Sequence, residues 1–255
     1  MDENRKIYNT HPSYTPESLW RRPTTAYDRR LVEVRRSLLG RFAPGRDVLD
    51  LCCGSGAYLI PILHRVKSAV GVDFSSNMLK GFHQGLRGLN ASNLALIEAD
   101  AASLPLSDSC FDFVFSFTSL YYLPRVELAI KEVARVMRPD GYAALEFGNL
   151  HNVNTLITAG FHKQNGWAKT YHISYLRMRN YLHEAGLAMV EWRCFQLSPM
   201  YGAPIRHIWL YPIVHPAWKR LMGIEIRGKM LDEWISSAFP FRYIASRHLV
   251  VVRKT

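Results

Sequence analysis

The sequence predicts an α/β fold: a seven-stranded, mostly parallel sheet with helices on both faces and its last strand antiparallel. Three observations carry that prediction. Short apolar runs at Val48–Leu51, Ala69–Val72 and Ala95–Ala99 alternate with helix-length segments, the pattern of parallel strands joined by crossovers. The first run leads into Gly54-Ser55-Gly56 and then into an apolar stretch, so a tight turn at the carboxyl end of a strand opens a helix. The closing run, Arg247–Val252, is apolar at both parities, as befits a strand covered on both faces.

Taken in order, residues 1–45 begin with a charged, aromatic-dotted segment holding Tyr8, Tyr14 and Trp20. A helix is predicted over Thr25–Leu39, with Leu31, Val34, Leu38 and Leu39 on one face, four arginines on the other, and Gly40 ending it. After the glycine turn the first crossover helix is predicted over Tyr58–Val66, with Pro61 in its early turns. The second strand ends at Asp73, and Ser75 or Ser76 caps the next helix. The third strand ends at Asp100. A fourth strand follows over Phe111–Phe117, a helix over Val126–Val136, a turn at Pro139-Asp140-Gly141, and a fifth strand over Tyr142–Phe147.

Further along, Ser174 caps a helix stopped by Gly186, and a sixth strand runs from Ala188 to Phe195. Residues 196–243 then separate it from the last strand. This helical, aromatic insertion is longer than a strand-to-strand turn requires, and long loops with apolar content of their own are commonly lids or binding elements. The whole reads as a single domain. Its parts are a lid and helix at 1–45, a core at 46–150, a second half of the sheet at 151–195, the insertion, and the last strand at 244–255.

The net charge of +11 lies outside the core, because residues 46–150 hold nine basic and eleven acidic residues. Basic flanks around a site suit an anionic or amphiphilic small molecule, a membrane surface or a nucleic acid, and equally a soluble basic surface. None of the four cysteines forms a C-x-x-C pair, so neither a disulfide framework nor a metal site is expected. The charged start shows no leader pattern, and the longest apolar run outside the core is too short to span a bilayer. A cytoplasmic chain is the expectation.

The functional residues follow from strand ends. A helix start aimed at the glycine turn favours an anionic group. Asp73 at the second strand's tip can accept both ribose hydroxyls, and Asp100 at the third can accept an adenine amino group. A dinucleotide fingerprint would place a third glycine where Leu59 stands. The ligand is therefore another adenosine compound.

Five blocks resemble the class I S-adenosylmethionine-dependent methyltransferases of Rossmann-like fold. They are Leu49-Asp50-Leu51-Cys52-Cys53-Gly54-Ser55-Gly56, Gly71–Leu79, Glu98–Leu106, Phe111–Ser116 and Glu132–Gly141. The resemblance covers about residues 45–150 and implies S-adenosylmethionine as the cofactor. Its contact residues would be Asp50, Cys52, Gly54, Gly56, Asp73, Phe74, Met78, Asp100, Ala101 and Phe117. Cys52 departs from the family, which usually has a glycine there. In the family the segment after the fourth strand faces the substrate, which gives Tyr121 and Tyr122 that role, and Trp20, Arg21, Arg22 and Tyr27 become lid candidates.

The expected activity is methyl transfer to a small molecule, O-methylation favoured, with Trp209 and Tyr211 of the insertion on the substrate side. His151 and Tyr122 are the catalytic candidates, and His162 and His172 lie in the same part of the chain. Two other readings stand beside this one: a nucleic-acid methyltransferase, which lacks its usual D/N-P-P-Y motif here, and a catalytically inactive cofactor-fold binding protein. Stable nucleic-acid binding is not expected; peripheral membrane contact is permitted, and the oligomeric state is open.

Overall fold

The computed structural model describes residues 3–11, 26–152, 155, 160, 162–197, 217 and 220–255. Its centre is β1 (Asp47–Leu51), buried at every residue and paired in parallel with β2 (Ser68–Asp73) and β4 (Phe111–Ser116). β3 (Leu94–Glu98) lies outside β2, and β5 (Met137–Gly148) lies beyond β4. β7 (Arg247–Lys254) runs antiparallel between β5 and β6 (Leu187–Phe195). The order is therefore β3-β2-β1-β4-β5-β7-β6. The chain reverses its winding between β1 and β4, and a crevice opens at the carboxyl ends of strands on either side of such a point.

Each face of the sheet has its own apolar layer. Leu249 and Val251 of β7 join Val48, Phe113 and Phe115 on one face, while Val250 and Val252 join Leu49, Leu51 and Val114 on the other. The expectation of a doubly covered last strand is met. On the first face α2 (Ala26–Phe42) buries Leu31, Val34 and Leu38, positions spaced three and four apart. On the second, α4 (Val126–Val136) buries Val126, Ala129, Ile130 and Val133, and α5 (Tyr175–Glu184) buries Tyr175, Met178 and Leu182. Burying an aliphatic side chain of that size contributes about 1.5–3 kcal/mol. α1 (Glu3–Thr10) and α3 (Ser76–Gly85) pack together at the β2 side, α3 being capped by the Ser75 hydroxyl, which accepts from Met78 N–H at 3.2 Å.

Three expected boundaries are corrected. Gly40 does not stop α2, which continues to Phe42 and stacks that ring on Phe113 and against Tyr142 at 5.6 and 5.1 Å. The first crossover is not an α-helix: only a 3₁₀ helix forms, Ile60–Arg65, with Pro61 in its first turn. Three positive-φ residues, Cys52, Gly54 and Gly56, precede it. Pro139-Asp140-Gly141 is not a turn before a strand but lies within β5, where a register shift opposite Phe111 and Phe113 accommodates Asp140 at φ +62°.

Of the insertion, the described part contains a small hairpin, Glu225–Ile226 with Lys229–Met230, and α6 (Leu231–Ser237). α6 is fastened through buried Asp232, which accepts from the Tyr27 hydroxyl at 2.7 Å and from Gln196 N–H at 2.8 Å. Tyr27 is thus a buried tether between α2 and α6, not a free lid residue. Trp20, Arg21, Arg22, Trp209 and Tyr211 lie outside the described residues. Among the described residues no helix is long and apolar enough to cross a membrane.

Candidate cofactor and substrate cavity

A cavity of about 700 Å³ opens at the carboxyl ends of β1 to β4. Its floor is the loop after β1, where Cys52, Gly54 and Gly56 have φ of +60°, +53° and +81°. Cys52 has taken the left-handed backbone of a glycine while keeping a side chain, at a cost of about 1–2 kcal/mol. The three positions serve different ends. Cys52 and Gly54 line the cavity, whereas Gly56 does not: a Cβ there would come within 2.6 Å of the Phe82 ring. Its glycine is required by packing beneath the loop, not by the approach of a ligand.

The carboxylates are held by the backbone. Asp73 accepts N–H bonds from Gly54 and Ser75, each at 2.9 Å, so the tip of β2 ties the β1 loop to the start of α3. Burial pushes Asp73 up to about 6 against the pull of those amides. Asp50 is also raised well above the usual carboxylate range, first by burial and then by the charge of Asp73. The thiols of Cys52 and Cys53 are pushed up by burial and by the same acids, so both stay protonated. Ser55 lines the cavity with a buried hydroxyl that has no partner among the described residues. Asp100 stands exposed at the rim, its Oδ1 accepting Ala102 N–H at 2.8 Å. Phe74, buried Met78 and Ala101 complete this end.

At the opposite wall a short 3₁₀ turn, Leu120–Tyr122, follows Thr118, whose φ is +60°. It brings Tyr121 and Tyr122 into the cavity beside Phe117. Tyr121 is sandwiched: His172 stacks on it at 5.6 Å, and the Arg247 guanidinium lies 4.5 Å from its ring centre. Tyr122 is overlaid by α1. Asn4 of that helix is buried and donates to the carbonyls of Tyr122 and Lys169, both at 2.9 Å, and accepts Lys169 N–H at 2.8 Å. One turn on, Tyr8 packs edge-on against Phe74 and Tyr122, so α1 roofs both ends of the cavity. Arg5 on the same helix pairs with Glu98.

The histidines are less central than their chain positions suggest. His151 is exposed and is not among the residues lining the cavity; its N–H donates to Asn149 Oδ1 at 3.1 Å. Asn149, two residues before it, is fully buried and donates to the carbonyls of Tyr243 and Ala245. His162 and His172 stack behind Tyr122 and Tyr121. Burial lowers both, His172 to about 4, so both imidazoles are neutral near pH 7.

Two features were not read from the sequence. Asn4 sits in a segment that looked merely charged, and nothing in its neighbours marks it. The second is a buried ion triad behind the cavity. Arg35 gives Glu146 bonds of 2.7 and 3.0 Å, and Arg247 gives it one of 3.1 Å. An acid in the middle of an apolar strand was the available signal, since buried carboxylates demand partners. Burial raises Glu146, but the two guanidinium groups outweigh it and hold the carboxyl below its usual value.

Residues 49–145 match the family model described as a methyltransferase domain. That stretch is shorter than half of the chain; together with the fold and the methyltransferase-named relatives it supports a class I, S-adenosylmethionine-dependent methyltransferase. The chain's seven-stranded sheet with an antiparallel last strand is consistent with the Rossmann-like fold of solved methyltransferases. A magnesium protoporphyrin IX methyltransferase from Synechocystis with bound SAH superposes with a TM-score of 0.63 at 14% identity, covering 98% of each chain. The [4+2]-cyclase SpnF superposes with 0.59 at 16% identity, covering 89% of this chain and 80% of its own. At such identities the likeness concerns the fold alone.

Relatives by sequence are demethylmenaquinone methyltransferases. That of Staphylococcus carnosus is 37% identical over 102 residues, 39% of this chain and 42% of the relative. That of Bacillus cereus is 30% identical over 144 residues, 55% and 56% respectively. The chain spans about half the length of the curated relatives it matches.

Proposed function

We propose that this chain transfers the methyl group of S-adenosylmethionine to a small, ring-bearing molecule held in the same cavity. The observation that carries the reading is one continuous cavity with a nucleoside-type end and an aromatic end. Asp73 and the positive-φ loop lie at the first, Phe117, Tyr121 and Tyr122 at the second. The unpartnered Ser55 hydroxyl and the raised Asp73 carboxyl are groups that a bound nucleoside with a polar tail would satisfy. When bound, S-adenosylmethionine supplies a sulfonium methyl that is already electrophilic.

The protein's own task is then alignment and exclusion of water, worth up to about 7–11 kcal/mol in favourable cases. Tyr121, braced by His172 and Arg247, and Tyr122, braced by α1, would orient a planar acceptor. The proposed acceptor atom is an oxygen. A phenolic or enolic oxygen ionises readily, so the reading needs no strong base in the cavity wall, and His151 need not reach it. The demethylmenaquinone relatives favour a quinone-type ring, and the basic flanks favour anionic or amphiphilic character. Trp209 and Tyr211 remain the proposed substrate-side residues of the insertion. The site is proposed to work in the cytoplasm.

The test is methyl transfer from labelled S-adenosylmethionine to a panel of reduced naphthoquinones, phenols, carboxylates and tRNA. Labelling of the quinol or phenol members supports the reading. Labelling of tRNA alone, or of the carboxylates alone, overturns the acceptor assignment.

A further inference from the structure

Tyr58 follows the β1 loop and lines the cavity, edge-on to Phe117 at 5.1 Å. The polarity of its hydroxyl is set from behind. Arg35 Nη1 donates to the Tyr58 oxygen at 3.1 Å, and a guanidinium has no lone pair with which to accept in return. The nearest acid, Glu146, has both oxygens engaged: Oε2 by Arg35, Oε1 by Arg35 and Arg247. Among the described residues no hydrogen bond is donated by the Tyr58 hydroxyl, and Tyr58 lines the cavity. Burial raises the phenol and Arg35 lowers it; burial prevails, so Tyr58 remains a donor at neutral pH. Its neighbour Arg36 also lines the cavity, and unlike Arg35 it has no carboxylate partner among the described residues.

We infer that Tyr58, with its proton turned into the cavity by the Arg35–Glu146–Arg247 triad, is the hydrogen-bond donor that selects acceptors bearing a phenolate, enolate or carbonyl oxygen on an aromatic ring. Arg36 adds positive potential on the same side, which favours the ionised oxygen. Tyr58 is a specificity-determining residue, and the triad positions it. The inference rests on the reading of the cavity's aromatic end as the acceptor site. It adds the donor, and hence the chemistry recognised there.

The experiment compares wild type with Tyr58→Phe, each saturated with S-adenosylhomocysteine, in binding 4-nitrophenolate, 1,4-naphthoquinone and the oxygen-free ring naphthalene. Loss of one hydrogen bond corresponds to about five- to tenfold in affinity. The expected result is that loss for the two oxygen-bearing rings and less than twofold for naphthalene, with S-adenosylhomocysteine affinity unchanged. The ratio between oxygen-bearing and oxygen-free ligands does not move if the variant is merely less stable. Equal losses for all three, no loss for any, or no binding of an oxygen-bearing ring to the wild type each overturn the inference. Failure of S-adenosylhomocysteine itself to bind the wild type would instead bring down the methyltransferase reading beneath it.

Discussion

The Gly54 amide donates to Asp73 Oδ2 at 2.9 Å, tying the loop after β1 to the tip of β2. The carboxylate expected to hold a ribose is thus already engaged by backbone on one side, and burial holds its proton to about pH 6. A carboxyl raised above its unfolded value of about 4 binds protons more tightly when folded. Its contribution to stability is therefore greatest below pH 4 and is lost as pH rises towards 6. Ribose hydroxyls donate best to the ionised form. S-adenosylhomocysteine affinity should fall as pH drops below about 6, with a proton released on binding there. Calorimetry in two buffers of different ionisation enthalpy measures that release. Affinity that is flat from pH 5 to 7.5 would contradict it, and Asp73→Asn should abolish the dependence.

Glu146→Gln should lower stability by about 3–5 kcal/mol, because it leaves the buried Arg35 and Arg247 without their counter-charge. Urea denaturation reads the difference. The wild-type carboxyl is held below its usual value, so its stabilisation is present at neutral pH and lost as pH falls through the carboxylate range. A loss under 1 kcal/mol would show that the triad is not needed for folding.

The β1 loop makes opposite demands at two positions. Cys52→Gly removes a side chain from φ +60° and should leave the melting temperature unchanged or raise it, the relief being offset partly by unfolded-state entropy. Gly56→Ala adds a methyl at φ +81° within 2.6 Å of Phe82 and should cost about 1–3 kcal/mol. Calorimetric melting of the two variants separates the cases; equal destabilisation would contradict the assignment.

The seven-stranded sheet, its antiparallel last strand and the acids at or just past the strand ends were legible because each rests on a local pattern: an apolar run, a turn, an acid at its end. The two alternating faces of Leu249–Val252 could be read for the same reason. What was not legible depends on partners far apart in the chain. Gly40 looked like a helix stop, yet Phe42 has Phe113 and Tyr142 to pack on. Pro61 was placed in an α-helix, but the segment Ile60–Arg65 closes as 3₁₀ turns. Asn149 and His151 are two residues apart, and only tertiary hydrogen bonds distinguish the buried one from the exposed one. Tyr58 was read as a helix start because nothing local announces that Arg35 and Glu146 stand behind it.

α1 is docked through Asn4, through Asn9, which accepts from the Ser75 hydroxyl at 2.6 Å, and through the Arg5–Glu98 pair. Asn4→Ala removes three hydrogen bonds to Tyr122 and Lys169 and should release the helix that roofs the cavity. Limited proteolysis should then cut within residues 3–11 several times faster than in wild type. S-adenosylhomocysteine should bind more weakly, since Tyr8 no longer covers Phe74. Unchanged protection of the amino-terminal segment would show that the docking does not depend on Asn4.

The account stands on the cavity being a site for S-adenosylmethionine, with Asp73 as its ribose anchor. Titration calorimetry of S-adenosylhomocysteine into wild type and Asp73→Ala at pH 7.5 tests that most directly. The account predicts one site per chain in the wild type and a loss of about 1.5–3 kcal/mol in the variant, the scale of a charge-assisted hydrogen bond. Wild-type affinity in Asp73→Ala, or no binding to either protein, would contradict it.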